Sequence, residues 1–217
     1  MEWLLPLAEA YTKEMSSPGP AYLAAIEAET LSLHPKAHML CGPVVGRFLA
    51  LLSSLKQPRY ILEIGSFTGY SGLCLAEGLA PGGELHSIEA RPAEAAIARR
   101  NFNQFMPQVS LHLHEGDAHE ILKTLHHPWD LVFMDADKTG YAQYLEQLLP
   151  VLAKGALVIV DNTLFHGQVL QTPVSGKNAK AVQDFNQAIK TDPRWEVLLL
   201  SVRDGISLIR KKNNHGV

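Results

Sequence analysis

The chain has 217 residues, of which 47% are hydrophobic and 19% charged, a composition typical of a globular protein with ample material for a core. Its 19 Lys and Arg against 22 Asp and Glu give a formal net charge of −3, which argues against a duplex nucleic-acid partner. Because no apolar run approaches the roughly 20 residues of a membrane span and the start lacks the features of a signal peptide, we expect a cytoplasmic chain with no membrane partner. Cys41 and Cys74 form no disulfide framework, which fits reduced thiols in that compartment.

The sequence of residues 1–57 predicts a group of helices that form a cap. Apolar residues recur at helical spacing from Leu4, and the stretch 16–20, rich in Ser, Pro and Gly, ends that first helix. A second helix is predicted to end before His34, and a third to follow Pro43. We expect this cap to cover one end of a sheet rather than to form a domain of its own.

From residue 59 short apolar runs alternate with helical segments, which indicates parallel strands joined by right-handed crossovers. The predicted strands are 60–64, 84–89, 109–114, 129–135, 156–161, 196–202 and 206–210, and the predicted helices are 71–79, 92–105, 118–126, 141–152 and 179–190. The turn 203–205 predicts a hairpin between the last two strands. We therefore predict one α/β domain with the helical cap at 1–57 and, at 58–217, a Rossmann-like, doubly wound, mostly parallel seven-stranded sheet with an antiparallel C-terminal hairpin.

The end of the first predicted strand carries a glycine loop. Residues 63–69 read Glu-Ile-Gly-Ser-Phe-Thr-Gly, which lacks the G-x-G-x-x-G spacing that holds a dinucleotide pyrophosphate, so a ligand without phosphates is favoured. Glu63 could hold a cationic amino group or organise the loop through backbone amides. A plain tight turn between strand and helix is the alternative.

The next two strand ends carry acids suited to an adenosyl group. Glu89 follows Gly69 by about 20 residues, the spacing at which a carboxylate accepts hydrogen bonds from ribose hydroxyls; pairing with Arg91 is the alternative. Asp117, after the third strand, could recognise an adenine edge, cap the following helix, or do both.

The fourth and fifth predicted strands end in Asp135 and in Asp161-Asn162. Adjacent parallel strands would bring these three side chains together as hard oxygen ligands, which suit Mg²⁺ or Ca²⁺ rather than zinc. Helix caps or loop acids are the alternative. Lys138 could act as a proton acceptor beside the ion, or could be a surface lysine that pairs with Asp137.

We assign structural roles to several histidines and tryptophans. His112 and His114 share one strand face, but the sequence shows no evident third ligand, so a hydrogen-bonded structural pair is favoured over a metal site. His126 and His127 read as a loop, and Trp3 and Trp195 as packing residues.

Taken together, the motifs resemble those of class I S-adenosylmethionine-dependent O-methyltransferases, in the small cation-dependent group of caffeoyl-CoA and catechol O-methyltransferases. The matching stretches run from about Met39 to Arg210 in the order of the family, and they are 62–71, Glu89, 115–118, 134–138, 161–164 and 204–206. As a set these motifs are highly specific, although no single one is.

The resemblance implies S-adenosylmethionine as methyl donor and a divalent cation, Mg²⁺ or another such as Mn²⁺ or Ca²⁺. The implied cofactor contacts are Met39, Glu63, Gly65, Ser71, Glu89, Asp117, Ala118, Asp135 and Asp137. The implied metal ligands are Asp135, Asp161 and Asn162, and the implied catalytic residues are Lys138 as base together with Asp135. By resemblance we also expect a homodimer, formed through the N-terminal helices or the terminal hairpin.

The acceptor expected from this reading is a vicinal-diol, catechol-like aromatic molecule, because both of its oxygens can chelate the cation. The stretch from Cys41 to Arg47 departs from the family pattern, which leaves the acceptor open. The alternatives are an NAD-dependent oxidoreductase on a related fold and a non-catalytic adenosyl-binding module. The oxidoreductase is disfavoured because the sequence shows no evident Tyr–Lys catalytic pair and no pyrophosphate loop. The binding module is disfavoured because binding alone would need neither the cation ligands nor Lys138.

Overall fold

The computed structural model describes the backbone of residues 4–212 and the side chains of residues 7–212. The helices are α1 (Leu4–Met15), α2 (Ala21–Leu33), α3 (Gly42–Lys56), α4 (Tyr70–Ala76), α5 (Pro92–Phe105), α6 (Ala118–Leu122), α7 (Tyr141–Leu148) and α8 (Lys177–Thr191). The strands are β1 (Tyr60–Ile64), β2 (Glu84–Glu89), β3 (Ser110–Glu115), β4 (Trp129–Met134), β5 (Leu152–Asp161), β6 (Trp195–Leu200) and β7 (Ile206–Lys211).

The described strands form one seven-stranded sheet in the order β3-β2-β1-β4-β5-β7-β6. The first five are parallel, whereas β7 runs antiparallel to both β5 and β6. This confirms the predicted fold class, including the antiparallel hairpin at the C-terminal edge. The strand order reverses beside β1, so the carboxyl ends of β1 and β4 border the crevice where ligands bind in doubly wound sheets.

Helices cover both faces of the sheet, which explains the nearly continuous apolar sequences of the central strands. One face packs Leu62 and Val132 against α6, α7 and α8, and the other packs Ile61 and Phe133 against α2 to α5. Trp195 is 3% exposed, as its predicted packing role requires, whereas Trp3 lies outside the described residues.

Several predicted boundaries were wrong. The helix expected to continue to residue 152 ends at Leu148, and β5 begins at Leu152 rather than at residue 156. Leu152 pairs with Trp129, and an irregularity in the β4–β5 register before Leu131 accommodates Gly155 at φ +72°. A Lys-Gly pair that resembles a helix end therefore lies inside a strand. The helix predicted over 118–126 is also shorter and ends at Leu122.

The cap packs mainly on one face of the sheet through α4, and the segment 38–41 reaches the strand ends. Within the described chain, the stretch Ala37–Lys56 is long and apolar enough to cross a membrane by length and composition alone, contrary to the expectation that no run approaches that length. Its buried face, which includes Val45 and Leu49, packs in the core, and 44% of the stretch is buried. Core packing thus accounts for much of its apolar composition. The division into a cap and an α/β core stays a prediction.

Candidate active site

A cleft of about 850 Å³ opens at the carboxyl ends of the parallel strands. Every residue predicted to bind cofactor or metal, or to act in catalysis, lines it except Glu63: Met39, Gly65, Ser71, Glu89, Asp117, Ala118, Asp135, Asp137, Lys138, Asp161 and Asn162. The β1 loop divides these residues into two groups. The acids after β2 and β3 lie on one side, and those after β4 and β5 lie on the other.

Gly65 lets the β1 loop pack directly on the end of β4. Its φ is +100°, and a Cβ atom there would lie 2.3 Å from the backbone oxygen of Asp135. The Asp135 backbone N–H donates to the carbonyl of Ile64 at 2.9 Å, which joins the two strand ends. Only glycine combines this backbone conformation with so close an approach.

Glu63 lies beneath the cleft rather than on its wall. Its two carboxylate oxygens accept hydrogen bonds from the hydroxyls of Ser71 and Ser87, each at 2.5 Å, and the residue is fully buried. Burial raises the pKa of Glu63 to about 7, although both serine hydrogen bonds oppose the shift. Its predicted contact with a cofactor stays a prediction; in this geometry it acts on the cleft through Ser71, which lines it.

Glu89 pairs with Arg91, as the alternative interpretation predicts, and it also lines the cleft, where its contact with a ribose stays a prediction. Its carboxylate accepts from the Phe67 backbone N–H at 2.8 Å and pairs with the Arg91 guanidinium at 3.0 Å. The residue is 4% exposed, yet it lines the cleft beside the β1 loop. Glu89 is therefore not a surface acid: its pairing with Arg91 orients a buried carboxylate that faces the cleft.

Asp117 and Met39 border the same side. Asp117 caps α6 by accepting from the Glu120 backbone N–H at 3.2 Å, and it also lines the cleft, so the helix-cap interpretation and a ligand contact are compatible. The Met39 sulfur, at the mouth, accepts a long contact from Arg91 at 3.6 Å. Ala118 also lines the cleft.

Two carboxylates lie close together on the other side. Burial and the negative charge of Asp135 raise the pKa of Asp161 to about 7, although its own hydrogen bond from the Asn162 backbone N–H, at 2.7 Å, opposes the shift. Lys138 compensates part of this charge, since its Nζ is 2.6 Å from Asp135 and 2.8 Å from the Tyr141 hydroxyl. Tyr141 in turn donates to the Asp161 backbone oxygen at 3.0 Å.

Asp137 does not pair with Lys138, contrary to the alternative drawn from the sequence. Its carboxylate accepts from the Thr139 backbone N–H at 3.3 Å and from the Thr139 hydroxyl at 2.5 Å. These bonds hold the 3-10 turn at 138–140, and that turn directs Lys138 back over Asp135.

Asn162 has an unusual backbone. Its φ of +57° is in the left-handed region, which Asn tolerates better than most residues. Its Nδ2 donates to Asp204 at 3.1 Å, so its carbonyl oxygen, the atom that binds hard cations, is not turned toward Asp204. Asp204 also accepts from the His166 backbone N–H, which joins the hairpin turn to the loop after β5.

Comparison with known proteins identifies the fold and the chemistry together. The family model described as O-methyltransferase matches residues 13–212. This chain belongs to the O-methyltransferase family. It is 32% identical to the O-methyltransferase ankF of Aspergillus thermomutatus over 221 aligned residues, which cover 94% of this chain and 92% of that protein. It is 30% identical to a catechol O-methyltransferase of Niastella koreensis over 165 residues, covering 74% and 75%.

A solved structure agrees with this assignment. The SAH-bound methyltransferase PaMTH1 of Podospora anserina superposes with a TM-score of 0.90 at 30% identity, covering 98% of this chain and 97% of that one. The prediction that the chain is an enzyme of this family is therefore confirmed. The two alternatives, an NAD-dependent oxidoreductase and a non-catalytic module, are not favoured.

Sequence reasoning missed one residue at the rim of this O-methyltransferase. Arg203 donates to the backbone oxygens of Leu40, at 3.4 Å, and Cys41, and its Nε lies 3.2 Å from the Glu9 carboxylate. The sequence indicated only a hairpin turn here. The available signal was the topology, because antiparallel pairing of β7 with β5 brings Ile206 opposite Asp161 and the turn to the cleft.

Proposed function

We propose that this O-methyltransferase transfers a methyl group from S-adenosylmethionine to one hydroxyl of a vicinal-diol aromatic acceptor with the help of a divalent cation. The observation that carries the proposal is the pairing of the partly buried Asp135 with the buried Asp161 at neighbouring strand ends, in the same cleft as Glu89 and Asp117. A relative named catechol O-methyltransferase and an SAH-bound structural neighbour support the acceptor class and the cofactor.

The proposed cofactor side is the half of the cleft next to β1, β2 and β3. Glu89 would accept hydrogen bonds from ribose hydroxyls, for which its buried carboxylate is already oriented by Phe67 and Arg91. Asp117 and Ala118 would lie at the adenine, and Met39 would close over it. The β1 loop can approach a ligand closely because Gly65 has no side chain.

The residues present fit a hard divalent cation. Asp161 is 4% exposed and its charge is destabilised by burial and by Asp135, so a cation between them would relieve both costs. Carboxylate and amide oxygens are the donors that Mg²⁺ and Ca²⁺ prefer, and Asn162 adds the amide. When bound, S-adenosylmethionine supplies the methyl group and the cation lowers the pKa of the acceptor hydroxyl.

Lys138 is the proposed proton acceptor, and Asp135 the residue that positions it. The Asp135 carboxylate and the Tyr141 hydroxyl hold the Lys138 nitrogen at the wall of the cleft. Both contacts keep Nζ directed into the site. A cation bound by Asp135 would favour the uncharged form of the Lys138 amine, whose free electron pair could then accept the proton of an acceptor hydroxyl. Alignment of the reactants by the cleft supplies the rest of the rate enhancement.

The test is a methyl-transfer assay with labelled S-adenosylmethionine on catechol and on phenol, each with Mg²⁺ and with EDTA. We expect turnover of catechol with Mg²⁺, loss of turnover in EDTA, and little reaction of phenol, which cannot chelate. Asp161→Asn should lose the Mg²⁺-dependent rate while it keeps affinity for the cofactor. Equal turnover of catechol with and without EDTA would overturn the cation part of the proposal. Failure to bind S-adenosylmethionine in calorimetry would overturn the rest.

A homodimer and a cytoplasmic location stay predictions. The exposed apolar residues of the cap include Tyr11, Leu51 and Leu55, and the terminal hairpin exposes Leu198. These are the surfaces on which we expect self-association.

A further inference from the structure

A second group of metal-ligating side chains lies away from the cleft. We call it the histidine cluster; its members are Glu84, His86, His112, His114 and His127. Glu84 and His86 lie on β2, and His112 and His114 lie on the neighbouring edge strand β3. His86 pairs in register with His112, so side chains at these alternate positions share one face of the sheet. None of the five lines the cleft.

Two histidine nitrogens meet at one carboxylate oxygen. Oε2 of Glu84 lies 3.3 Å from Nε2 of His86 and 3.3 Å from Nε2 of His112. Ligand atoms about 2.0 Å from a tetrahedral zinc ion are separated by roughly 3.3 Å, so these spacings fit two edges of such a site. The ligand atoms of Glu84, His86 and His127 also all lie within 4.8 Å of one another.

His127 comes from a different element. It lies in the loop between α6 and β4, and its ring is 4.5 Å from the His86 ring, centroid to centroid. Tyr60 and Trp129 flank it, at centroid distances of 5.0 and 5.3 Å. The cluster therefore gathers ligands from two strands and a loop around the buried ring of His86, which is 4% exposed.

The remaining contact of His86 is of the kind that orients a metal ligand. Its Nδ1 lies 3.1 Å from Nε2 of His114, while its Nε2 faces Glu84. A ligating histidine commonly uses its second nitrogen in a hydrogen bond of this type, which fixes the tautomer. Burial lowers the pKa of His86 to about 4, so the ring is neutral at physiological pH. Neutral imidazole is the form that binds metals.

We propose that Glu84, His86 and His127 form a binding site for a transition-metal ion of the zinc type. Imidazole nitrogens with one carboxylate suit zinc, nickel or copper, whereas the all-oxygen group of the cleft suits Mg²⁺ or Ca²⁺. In this site the metal ion takes the place of the proton shared between His86 and Glu84. It ties the edge strand β3 and the loop before β4 to β2, at the end of the strands that is remote from the cleft.

The test uses the full chain, stripped with EDTA and then kept in excess Mg²⁺ so that hard oxygen ligands elsewhere are occupied. Co²⁺ is titrated in and followed by its visible absorption, and Zn²⁺ is then added as competitor. We expect one equivalent of Co²⁺ with the intense bands of tetrahedral coordination, displaced by one equivalent of Zn²⁺, together with a rise in Tm on Zn²⁺ addition.

Two variants and a matched control decide the assignment. Glu84→Gln, at a partly exposed position, and His127→Ala should each weaken Zn²⁺ binding at least about tenfold, because even outer-shell partners cost 10- to 100-fold. His126→Ala removes the neighbouring exposed histidine and should bind as the parent does. Equal Tm of all four proteins without zinc excludes misfolding. Weak octahedral bands, or binding that Glu84→Gln and His127→Ala leave unchanged, would overturn the proposal.

Discussion

Lys138 and Asp135 form an ion pair across the wall of the cleft, with Nζ 2.6 Å from Oδ1, and both side chains are less than one-fifth exposed. The two residues are three positions apart, and the 3-10 turn at 138–140 brings them face to face. This pair joins the proposed base to the proposed cation ligand, so neither group changes charge without an effect on the other.

The first prediction concerns Lys138. Replacement by Met should lower kcat about 10²- to 10⁴-fold, the range of general acid–base contributions, while affinity for S-adenosylmethionine changes little. Steady-state kinetics and calorimetry measure the two quantities. The matched control is Lys123→Met, since Lys123 also pairs with an acid three residues away, Glu120, but on an exposed helix. An unchanged kcat for Lys138→Met across the pH range would remove Lys138 from the mechanism.

The second prediction concerns Asp161. Its raised pKa means that the folded chain takes up a proton there as the pH falls, so stability is lost as the pH rises from about 4 to about 7. Asp161→Asn should therefore raise the stability of the cation-free protein at pH 8, on the order of 2 kcal/mol. Mg²⁺ should stabilise the parent and leave the variant unchanged. Tm measured with Mg²⁺ and with EDTA checks both, and equal Mg²⁺ responses would contradict the ligand role.

The third prediction concerns Glu63, whose pKa of about 7 also exceeds its unfolded value of 4.5. Between these pH values the folded state binds more protons than the unfolded state, so stability falls as the pH rises, by up to about 3 kcal/mol. Glu63→Gln should flatten this slope, and Asp161 should account for the part that remains. Urea unfolding at pH 5 and pH 8 measures the difference. Glu196→Gln, at an exposed acid, is the control, and an unchanged slope in Glu63→Gln would refute the account.

The fourth prediction compares two glycines with positive φ. Gly65→Ala places a Cβ 2.3 Å from the Asp135 backbone oxygen, whereas Gly82→Ala, at φ +71°, meets open space. Both substitutions carry the backbone strain of the left-handed region, roughly 1 kcal/mol. Gly65→Ala should lose distinctly more stability and should also reduce turnover, because Asp135 must shift. Thermal unfolding and activity report this, and similar losses in both variants would mean that the close approach is unimportant.

The fifth prediction concerns Arg203. Arg203→Lys keeps the charge but loses the planar group that reaches two backbone oxygens, so the segment at Leu40 and Cys41 should loosen. KM for the acceptor should rise several-fold with a smaller change in kcat. Glu9→Gln breaks only the exposed ion pair to the same arginine and should have little effect, as surface pairs usually do. Equal effects of the two variants would locate the role of Arg203 in its ion pair with Glu9 and not in its contacts with the backbone oxygens.

The parallel core was predictable because its central strands are buried on both faces and are bounded by Gly and Pro. The boundaries of β1 and β2 and the residues at their ends followed from short apolar runs with nothing to compete. The start of β5 could not be predicted in this way, because its first residue pairs with Trp129 through an irregular register that the local sequence does not encode. The predicted convergence of Asp135 and Asp161 required only that the two strands be adjacent, which they are.

Tertiary contacts account for what the sequence did not reveal. That Glu63 lies under the cleft depends on Ser87, which β2 supplies from a neighbouring strand. The sequence singled out His112 and His114 but showed no third ligand beside them, since His112 acquires Glu84 and His86 as neighbours only through the β2–β3 register. Residues far apart in the chain cannot be assigned to one site until strand order and register are known.

The contacts of Arg203 join three distant parts of the chain, at Glu9, at residues 40–41 and at the hairpin turn. These parts make up much of the mouth of the cleft, whereas the proposed cation ligands and base follow β4 and β5. Substitutions at the mouth can therefore change which acceptors enter the cleft without altering the reacting groups. An engineer seeking new acceptors should randomise the residues at the mouth and leave the proposed cation ligands and base unchanged.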